Sequence, residues 1–272
     1  MQCRSRALLV SLLAVASASP CKPRPASSTS ASATTTPTLP LTGTGSELSA
    51  ANSSLSLLKI AIGHGLQNYT CLNSSAAVKA PGALAVLYDV TDLYPGMSGS
   101  SLIADVFDAL TTTLIWNQDI PLNLQNSEAA NPGTPAVPNA MAESLYGAVV
   151  GSPFPSPAAA LSLPTVLPAS IPFLGHHYFD SAGSPTFDLS AAGLLGSMAK
   201  ASDVTAPSTA EKGPLGTGAV DWLELKDNGR GISQGISQVF RVMTAGGVSE
   251  TCNKVDAATG SVPYTAFYWF YG

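Results

Sequence analysis

Short apolar segments separated by glycine and proline run through most of this chain, and this pattern limits the folds open to it. Glycine accounts for 24 of the 272 residues and proline for 21. Short strands bounded by such turn-forming residues are typical of antiparallel sandwiches and barrels. We therefore predict a mainly β protein, an antiparallel β-sandwich or barrel with an α/loop insertion. The predicted strands cover residues 83–90, 175–179, 186–189, 219–226, 235–244 and 264–271.

The clearest local signal is a hairpin over residues 219–244. Its first strand alternates, with Val220 and Trp222 on one face and Asp221 and Leu223 on the other. The sequence Asp-Asn-Gly at 227–229 favours a turn that accepts positive φ, and residues 235–244 form the return strand. The last segment, 264–271, has aromatic residues on both faces, which predicts a central and buried strand.

A helical and proline-rich insertion is predicted at 95–170, inside a single β-rich domain over 55–272. Residues 101–116 have helical spacing, and Ser100 precedes them as an N-cap. Many prolines follow over 131–172, which indicates a surface excursion with one short helix around 139–147. The apolar stripe of the first helix consists of Leu102, Ile103, Val106, Phe107, Leu110 and Leu114.

The N-terminal residues 1–18 have the three parts of a secretory signal peptide. Arg4 and Arg6 form the basic region, residues 7–14 form the apolar region, and Ala-Ser-Ala at 16–18 is a cleavage site. The apolar run is too short to span a bilayer. Residues 19–54 are rich in Ser, Thr and Pro and are predicted to be a disordered tail. We therefore expect a secreted, extracellular glycoprotein with N-glycosylation sequons at Asn52, Asn68 and Asn73.

The low charge of the chain argues against two classes of partner. Charged residues make up 11% of the chain and the net charge is −5, whereas typical globular chains have roughly 25% charged residues. No basic patch could neutralise several phosphates, so we expect no nucleic-acid partner. No amphipathic helix rich in Lys and Arg is present in the sequence, and we expect no membrane partner.

Three cysteines remain after removal of the signal peptide, and an odd number in an oxidising compartment implies one pair and one leftover residue. Cys71 and Cys252 lie in sequence that is typical of a folded domain, whereas Cys21 lies in the tail. We predict a disulfide between Cys71 and Cys252. Pairing of Cys21 with one of them stays open as the alternative.

Two short motifs resemble enzyme signatures but lack the required context. Residues 231–235 match G-x-S-x-G around Ser233, yet that motif needs a following helix and a later histidine. All three histidines precede Ser233, and a strand follows it. Residues 63–68 begin like a dinucleotide fingerprint but lack the third glycine and the helix. We therefore expect no cofactor.

Histidines and aromatic residues supply the remaining candidates for a site. His177 and His64 are weak candidates for metal ligands, because the adjacent His176 and His177 point to opposite faces of a strand. Trp222 and Tyr178 are the aromatic residues most suited to a cleft, while the run at 267–271 suits a core.

Four stretches together resemble a secreted family of unknown function, numbered 3455 among uncharacterised domains, that occurs in fungi and bacteria. They cover 63–71, 175–189, 220–247 and 262–272, and the resemblance spans roughly 55–272. Fungal members are often labelled malate dehydrogenase, but this chain has no complete glycine fingerprint to support that activity. The matching residues are Gln67, Tyr69, Cys71, His177, Tyr178, Phe187, Trp222, Arg241, Thr244, Gly246, Gly247, Tyr264, Tyr268 and Phe270.

The resemblance implies no catalytic residues. We expect a non-catalytic secreted protein that binds an extracellular glycan or the cell wall. The alternative is an extracellular enzyme or metal-binding protein centred on His177. The candidate ligand cleft consists of Gln67, His177, Tyr178, Trp222 and Arg241.

Overall fold

A computed structural model describes residues 35–272, so the predicted signal peptide at 1–18 and Cys21 lie outside the described residues. Within this range the chain is mainly β and contains ten strands. In chain order they are β1 (Leu57–Thr70), β2 (Lys79–Asp89), β3 (Gly133–Thr134), β4 (Val137–Pro138), β5 (Phe173–Phe179), β6 (Pro185–Leu189), β7 (Leu194–Val204), β8 (Trp222–Asp227), β9 (Gln238–Gly246) and β10 (Thr259–Tyr271).

Eight of these strands close an antiparallel barrel, which confirms the predicted fold class and selects the barrel over the sandwich. The order around the barrel is β1-β10-β9-β8-β7-β6-β5-β2. Each barrel strand therefore pairs with the next barrel strand along the chain, and β10 closes the circle on β1. The short strands β3 and β4 form a separate hairpin in the segment between β2 and β5.

Both faces of β10 are buried, as its aromatic sequence predicts. Tyr264, Tyr268 and Phe270 belong to the apolar cluster inside the barrel. Phe267 and Trp269 belong to a second apolar cluster outside it. The outer cluster exists because the segment between β2 and β5 covers this side of the barrel.

Two short helices of the insertion pack on the barrel. They are α1 (Ala104–Asp108) and α2 (Leu110–Asn117). Phe107 stacks on Phe267 with 4.7 Å between ring centroids, and α2 contacts β10, β9 and β1. No helix among residues 35–272 is long and apolar enough to cross a membrane.

The insertion differs from its prediction in two details. The helix begins at Ala104 and not at 101, because the preceding serines form a turn in which the Ser98 N–H donates to Ser101 Oγ at 2.7 Å. Ser100 bonds Ser98 and caps no helix. The short helix expected around 139–147 is reduced to a 3₁₀ turn at Glu143–Leu145.

Residues 35–54 depart from the prediction of a disordered tail. They contain no helix or strand, but Leu39, Leu48 and Ala51 pack against the outer apolar cluster. The Asn52 N–H donates to Gln238 Oε1 at 3.0 Å, which ties this segment to β9. Average composition misses this packing because a few apolar side chains are enough to hold an otherwise polar segment.

The predicted disulfide between Cys71 and Cys252 is confirmed. Cys71 directly follows β1, and Cys252 lies in the loop between β9 and β10. The Cys71 N–H also donates to the Ala258 carbonyl at 2.8 Å. The bond therefore fastens this loop to the end of the strand that closes the barrel.

Candidate functional site

The barrel interior is filled at one end and open at the other. Leu174, Leu189, Ile236 and Phe270 fill the end near the start of β1 and the end of β10. Towards the opposite end lies a cavity of about 800 Å³. Its wall includes buried residues such as Phe187 and exposed residues of the strand ends, so the cavity reaches the protein surface.

Small residues on β1 set the shape of this interior. A Cβ atom at Gly65 would overlap the Leu84 carbonyl of β2, and one at Gly63 would lie 2.7 Å from the Tyr268 ring. The two glycines that resemble a dinucleotide fingerprint therefore allow close packing of strands and of Tyr268. This gives the motif a structural explanation.

Three of the five predicted cleft residues line the cavity, namely Gln67, His177 and Arg241. The other two do not. Tyr178 follows His177 directly and so points to the outer face of β5, where its ring lies 6.4 Å from Phe154. Trp222 is 4% exposed and belongs to the outer apolar cluster.

Arg241 is the charged group that lies deepest in the site. It is 9% exposed. Its Nε and Nη2 donate to the Asp221 carbonyl at 3.2 and 2.8 Å, and its Nη1 donates to Gln67 Oε1 at 3.4 Å. Gln67 is itself fixed, because its Nε2 donates to the Gly82 carbonyl at 2.7 Å. The guanidinium is therefore held in place by neutral oxygens.

His177 is held by one ring nitrogen and by its ring face. Its Nδ1 donates to the Thr186 carbonyl at 2.9 Å, since a carbonyl only accepts. The ring stacks on Phe187, with 4.3 Å between centroids and an interplanar angle of 10°. Burial, opposed by the hydrogen bond to Thr186 and assisted by the charge of Arg241, lowers the pKa of His177 to about 4. His177 is therefore a neutral imidazole near pH 7, and no hydrogen bond joins its Nε2 to residues 35–272.

A tyrosine pair beside Arg241 belongs to the same interior, although the sequence places these residues only among the family matches and not in the candidate cleft. Tyr264 and Tyr268 share a hydrogen bond of 2.9 Å between their hydroxyl groups, and the Tyr268 ring lies 5.6 Å from that of His177. Burial raises the pKa of both phenols, so both are neutral. Both tyrosines lie in a C-terminal strand with aromatic residues on both faces, and such a pattern does not show which face lines a cavity.

Charged residues surround the opening of the cavity. Lys200 pairs with Asp203 at 3.0 Å, and Arg230 pairs with Asp180 at 2.6 Å. Asp221 is half-buried and forms no ion pair with the described residues. Burial, and next the neighbouring Asp203, raise the pKa of the Asp221 carboxyl.

The two histidines considered as metal ligands are on opposite faces of the barrel wall. His177 faces the cavity, whereas His64 lies on the outward face of β1 with the buried residues Ile62 and Leu66. They cannot bind one ion together. Residues 35–272 contain no group of three His, Cys, Asp or Glu side chains that could hold a metal ion.

Ser233 of the G-x-S-x-G match has a structural role in the loop between β8 and β9. Its hydroxyl donates to Asp227 Oδ1 at 2.5 Å and accepts the Ser197 N–H at 2.9 Å. These bonds hold the loop against β7. The residues after Ser233 lead into β9 and not into a helix.

The three glycosylation sequons differ in accessibility. Asn52 and Asn73 are exposed. Asn68 is half-buried in β1, and its Oδ1 accepts the Ser261 hydroxyl at 2.9 Å. Asn52 and Asn73 therefore present the more accessible side chains for a glycan.

Comparison with known proteins gives a family but no function. The family model described as protein of unknown function (DUF3455) matches residues 51–272, which include the whole barrel. No curated protein matches the chain significantly. No solved structure matches it significantly either. Because the family model covers most of the chain, the protein belongs to this family of unknown function, DUF3455.

Proposed function

We propose that this chain is a secreted, non-catalytic protein that binds a small organic molecule inside its β-barrel. The observation that carries the proposal is the cavity of about 800 Å³ at one end of the barrel. Barrels of eight strands either fill their interior with side chains or hold one small ligand. Here one end is filled and the other is not. The signal-like sequence at 1–18 and the disulfide support export.

The composition of the wall fits ligand binding. Binding pockets in proteins have volumes of roughly 300–1,000 Å³ and mostly apolar walls with a few placed polar groups. The apolar part of this wall includes Phe187, Met198 and Leu225, and the polar groups are Arg241, Gln67 and His177. Each of these three polar groups is held by a hydrogen bond to a neighbouring residue. The site is thus formed before any ligand arrives.

Catalysis centred on His177 is the second candidate, and the free acceptor at Nε2 favours it. A general base works best when its pKa lies near the working pH. The pKa of His177, about 4, makes it a weak base near pH 7. The ring also stacks on Phe187, which suits a fixed wall residue. We therefore place binding ahead of catalysis.

The burial of the aromatic residues limits where a glycan could bind. Trp222 and the aromatic residues at 267–271 are buried, so they offer no exposed rings on which a sugar could stack. A glycan or other ligand would have to enter the barrel. The proposed binding site is therefore the cavity, which keeps Gln67, His177 and Arg241 of the predicted cleft and leaves out Tyr178 and Trp222.

A neutral fluorescent dye such as Nile red tests the proposal. We expect saturable binding by the purified protein and loss of at least about tenfold in affinity, or 1.4 kcal/mol, in Ala83→Leu, because Ala83 lines the cavity. Ala201→Leu is the matched control, since Ala201 is an exposed residue of β7 outside the cavity wall. No saturable binding, or equal loss in both variants, would overturn the proposal. A glycan bound equally by the wild type and Ala83→Leu would overturn it as well.

A further inference from the structure

We propose that the ligand of this cavity is a monocarboxylate with an apolar body, and that its carboxylate pairs with Arg241. This inference rests on the proposed function, because it names the chemical class that the cavity selects. It follows from the buried guanidinium, from the charges around it and from the wall of the cavity.

The first step is that Arg241 is buried without an anionic partner. None of the ion pairs within residues 35–272 includes Arg241. Its oxygen partners are the backbone carbonyl of Asp221 and the amide of Gln67, and both are neutral. A buried charge without an opposite charge carries a desolvation cost that an incoming anion offsets.

The second step is that the guanidinium retains free donors. An arginine side chain has five N–H groups. Hydrogen bonds to Asp221 and Gln67 use one N–H each on Nε, Nη1 and Nη2. One N–H on Nη1 and one on Nη2 remain for the cavity that Arg241 lines and for the neighbouring Tyr268 hydroxyl. Arginine N–H groups of this kind bind carboxylate oxygens through charge-assisted hydrogen bonds.

The third step concerns the other charged groups of the cavity. Lys200 and Arg230 are exposed and already paired with carboxylates. His177 is neutral near pH 7. Arg241 is therefore the unpaired cation among the described wall residues. Asp221 is the nearby negative charge; burial and the neighbouring Asp203 raise the pKa of its carboxyl, while the charge of Arg241 acts in the opposite direction.

The fourth step is the apolar wall, which defines the body of the ligand. Carbon-rich side chains face the space beyond Arg241, so a hydrocarbon or aromatic body gains by leaving water. A sugar acid carries the same carboxylate but would place hydroxyl groups against these apolar side chains, at a desolvation cost. The apolar wall residues include Ala83, Phe179, Phe187, Met198, Leu225 and Val248.

Competition against bound Nile red tests this assignment in the wild-type protein. We use decanoate, the matching primary alcohol and glucuronate at pH 7. Decanoate should displace the dye at least about tenfold better than the alcohol, because only the carboxylate forms charge-assisted hydrogen bonds with Arg241. Glucuronate should not compete. Equal affinity for the acid and the alcohol, or competition by glucuronate at the decanoate concentration, would overturn the assignment.

Three variants locate the carboxylate. Arg241→Met should remove the preference for decanoate while Nile red still binds. Arg241→Lys should restore part of that preference, and Asp221→Asn should strengthen decanoate binding because it removes a like charge. An unchanged preference in Arg241→Met, or weaker decanoate binding in Asp221→Asn, would contradict the proposal. If Arg241→Met does not fold, Asp221→Asn and the wild-type comparison still decide it.

The two proposals fail in different ways. Dye binding without a preference for the acid refutes the carboxylate and leaves the barrel as the binding site. Absence of saturable dye binding refutes the proposed function itself.

Discussion

His177 combines a structural contact with a group that faces the cavity. Its Nδ1 donates to Thr186 and its ring stacks on Phe187. We expect His177→Ala to lower the free energy of unfolding by about 1–3 kcal/mol, because it leaves a buried carbonyl without its side-chain donor. Urea unfolding of the wild type and the variant measures this difference.

His177→Asn is the control for that prediction. The asparagine amide can place a donor close to the position of Nδ1, so part of the lost stability should return. A His177→Ala variant as stable as the wild type would refute the structural role. Equal losses in both variants would show that ring stacking, and not the hydrogen bond, provides the stability.

Individual residues of the site can be predicted from the sequence more reliably than the side of the barrel wall to which each of them points. Gln67, His177 and Arg241 stand out in the matching motifs, and all three line the cavity. The alternation at 220–223 correctly separates Trp222 from Leu223, but it wrongly places Val220 on the face of Trp222, because Val220 precedes β8 and lines the cavity. However, both faces of this wall are buried, so hydrophobicity does not tell which face is inward. Trp222 consequently lies in the outer cluster, and Leu223 lines the cavity.

At the scale of elements, the disulfide fastens the loop before β10 to the end of β1. It closes a loop with a sequence separation of 181 residues. The chain-entropy model gives about 4–5 kcal/mol for so long a loop, and removal of native disulfides costs about 2–5 kcal/mol. We expect Cys252→Ser to lower the free energy of unfolding, measured by urea denaturation, by about 2–5 kcal/mol.

The double variant Cys71→Ser, Cys252→Ser separates loss of the bond from effects of a free thiol. It should be as unstable as the single variant. Peptide mapping without reduction should find Cys71 linked to Cys252 in the wild type. A single variant with wild-type stability would show that the bond does not constrain the unfolded chain.

Strands with apolar alternation could be predicted, whereas β7 could not. The hairpin at 219–244 appears as β8 and β9, with a longer connection than a tight turn. β7 contains Gly196, Ser197, Lys200 and Ser202, which have low or moderate strand preference. Pairing with β6 on one side and β8 on the other makes this segment extended. Such tertiary pairing has no local signal in the sequence.

At the scale of the whole molecule, closure of the barrel depends on a contact between distant parts of the chain. β1 pairs with β10 from Leu57↔Tyr271 to Thr70↔Thr259. Local patterns predict antiparallel strands but not which distant strands meet, so they leave the sandwich and the barrel equally open. The cavity exists only because the barrel closes. Some of the residues that line the cavity can therefore be predicted from the sequence, but the cavity volume cannot.

Two buried histidines, one on each side of the barrel wall, make the whole fold sensitive to acid. Burial lowers the pKa of His64 to about 3 and that of His177 to about 4, against 6.5 for an ordinary histidine. At a pH between 6.5 and the lowered pKa of a histidine, the unfolded chain binds a proton on that histidine that the folded chain does not. Stability is therefore complete above about pH 6.5 and falls as the pH decreases, by up to about 1.4 kcal/mol per pH unit for each histidine.

His64→Leu tests this origin of acid sensitivity. His64 is 1% exposed, and neither ring nitrogen has a hydrogen-bond partner among residues 35–272. Leucine has a similar volume and no polar atoms, so the variant should be at least as stable as the wild type at pH 7. Between pH 6.5 and 4.5 its free energy of unfolding should fall less steeply, because one of the two buried histidines is gone. All other titratable groups, including Asp221 with its raised pKa, are the same in both proteins, so the difference between their slopes isolates His64. Chemical denaturation at several pH values gives both slopes, and equal slopes would show that His64 is not responsible for the loss.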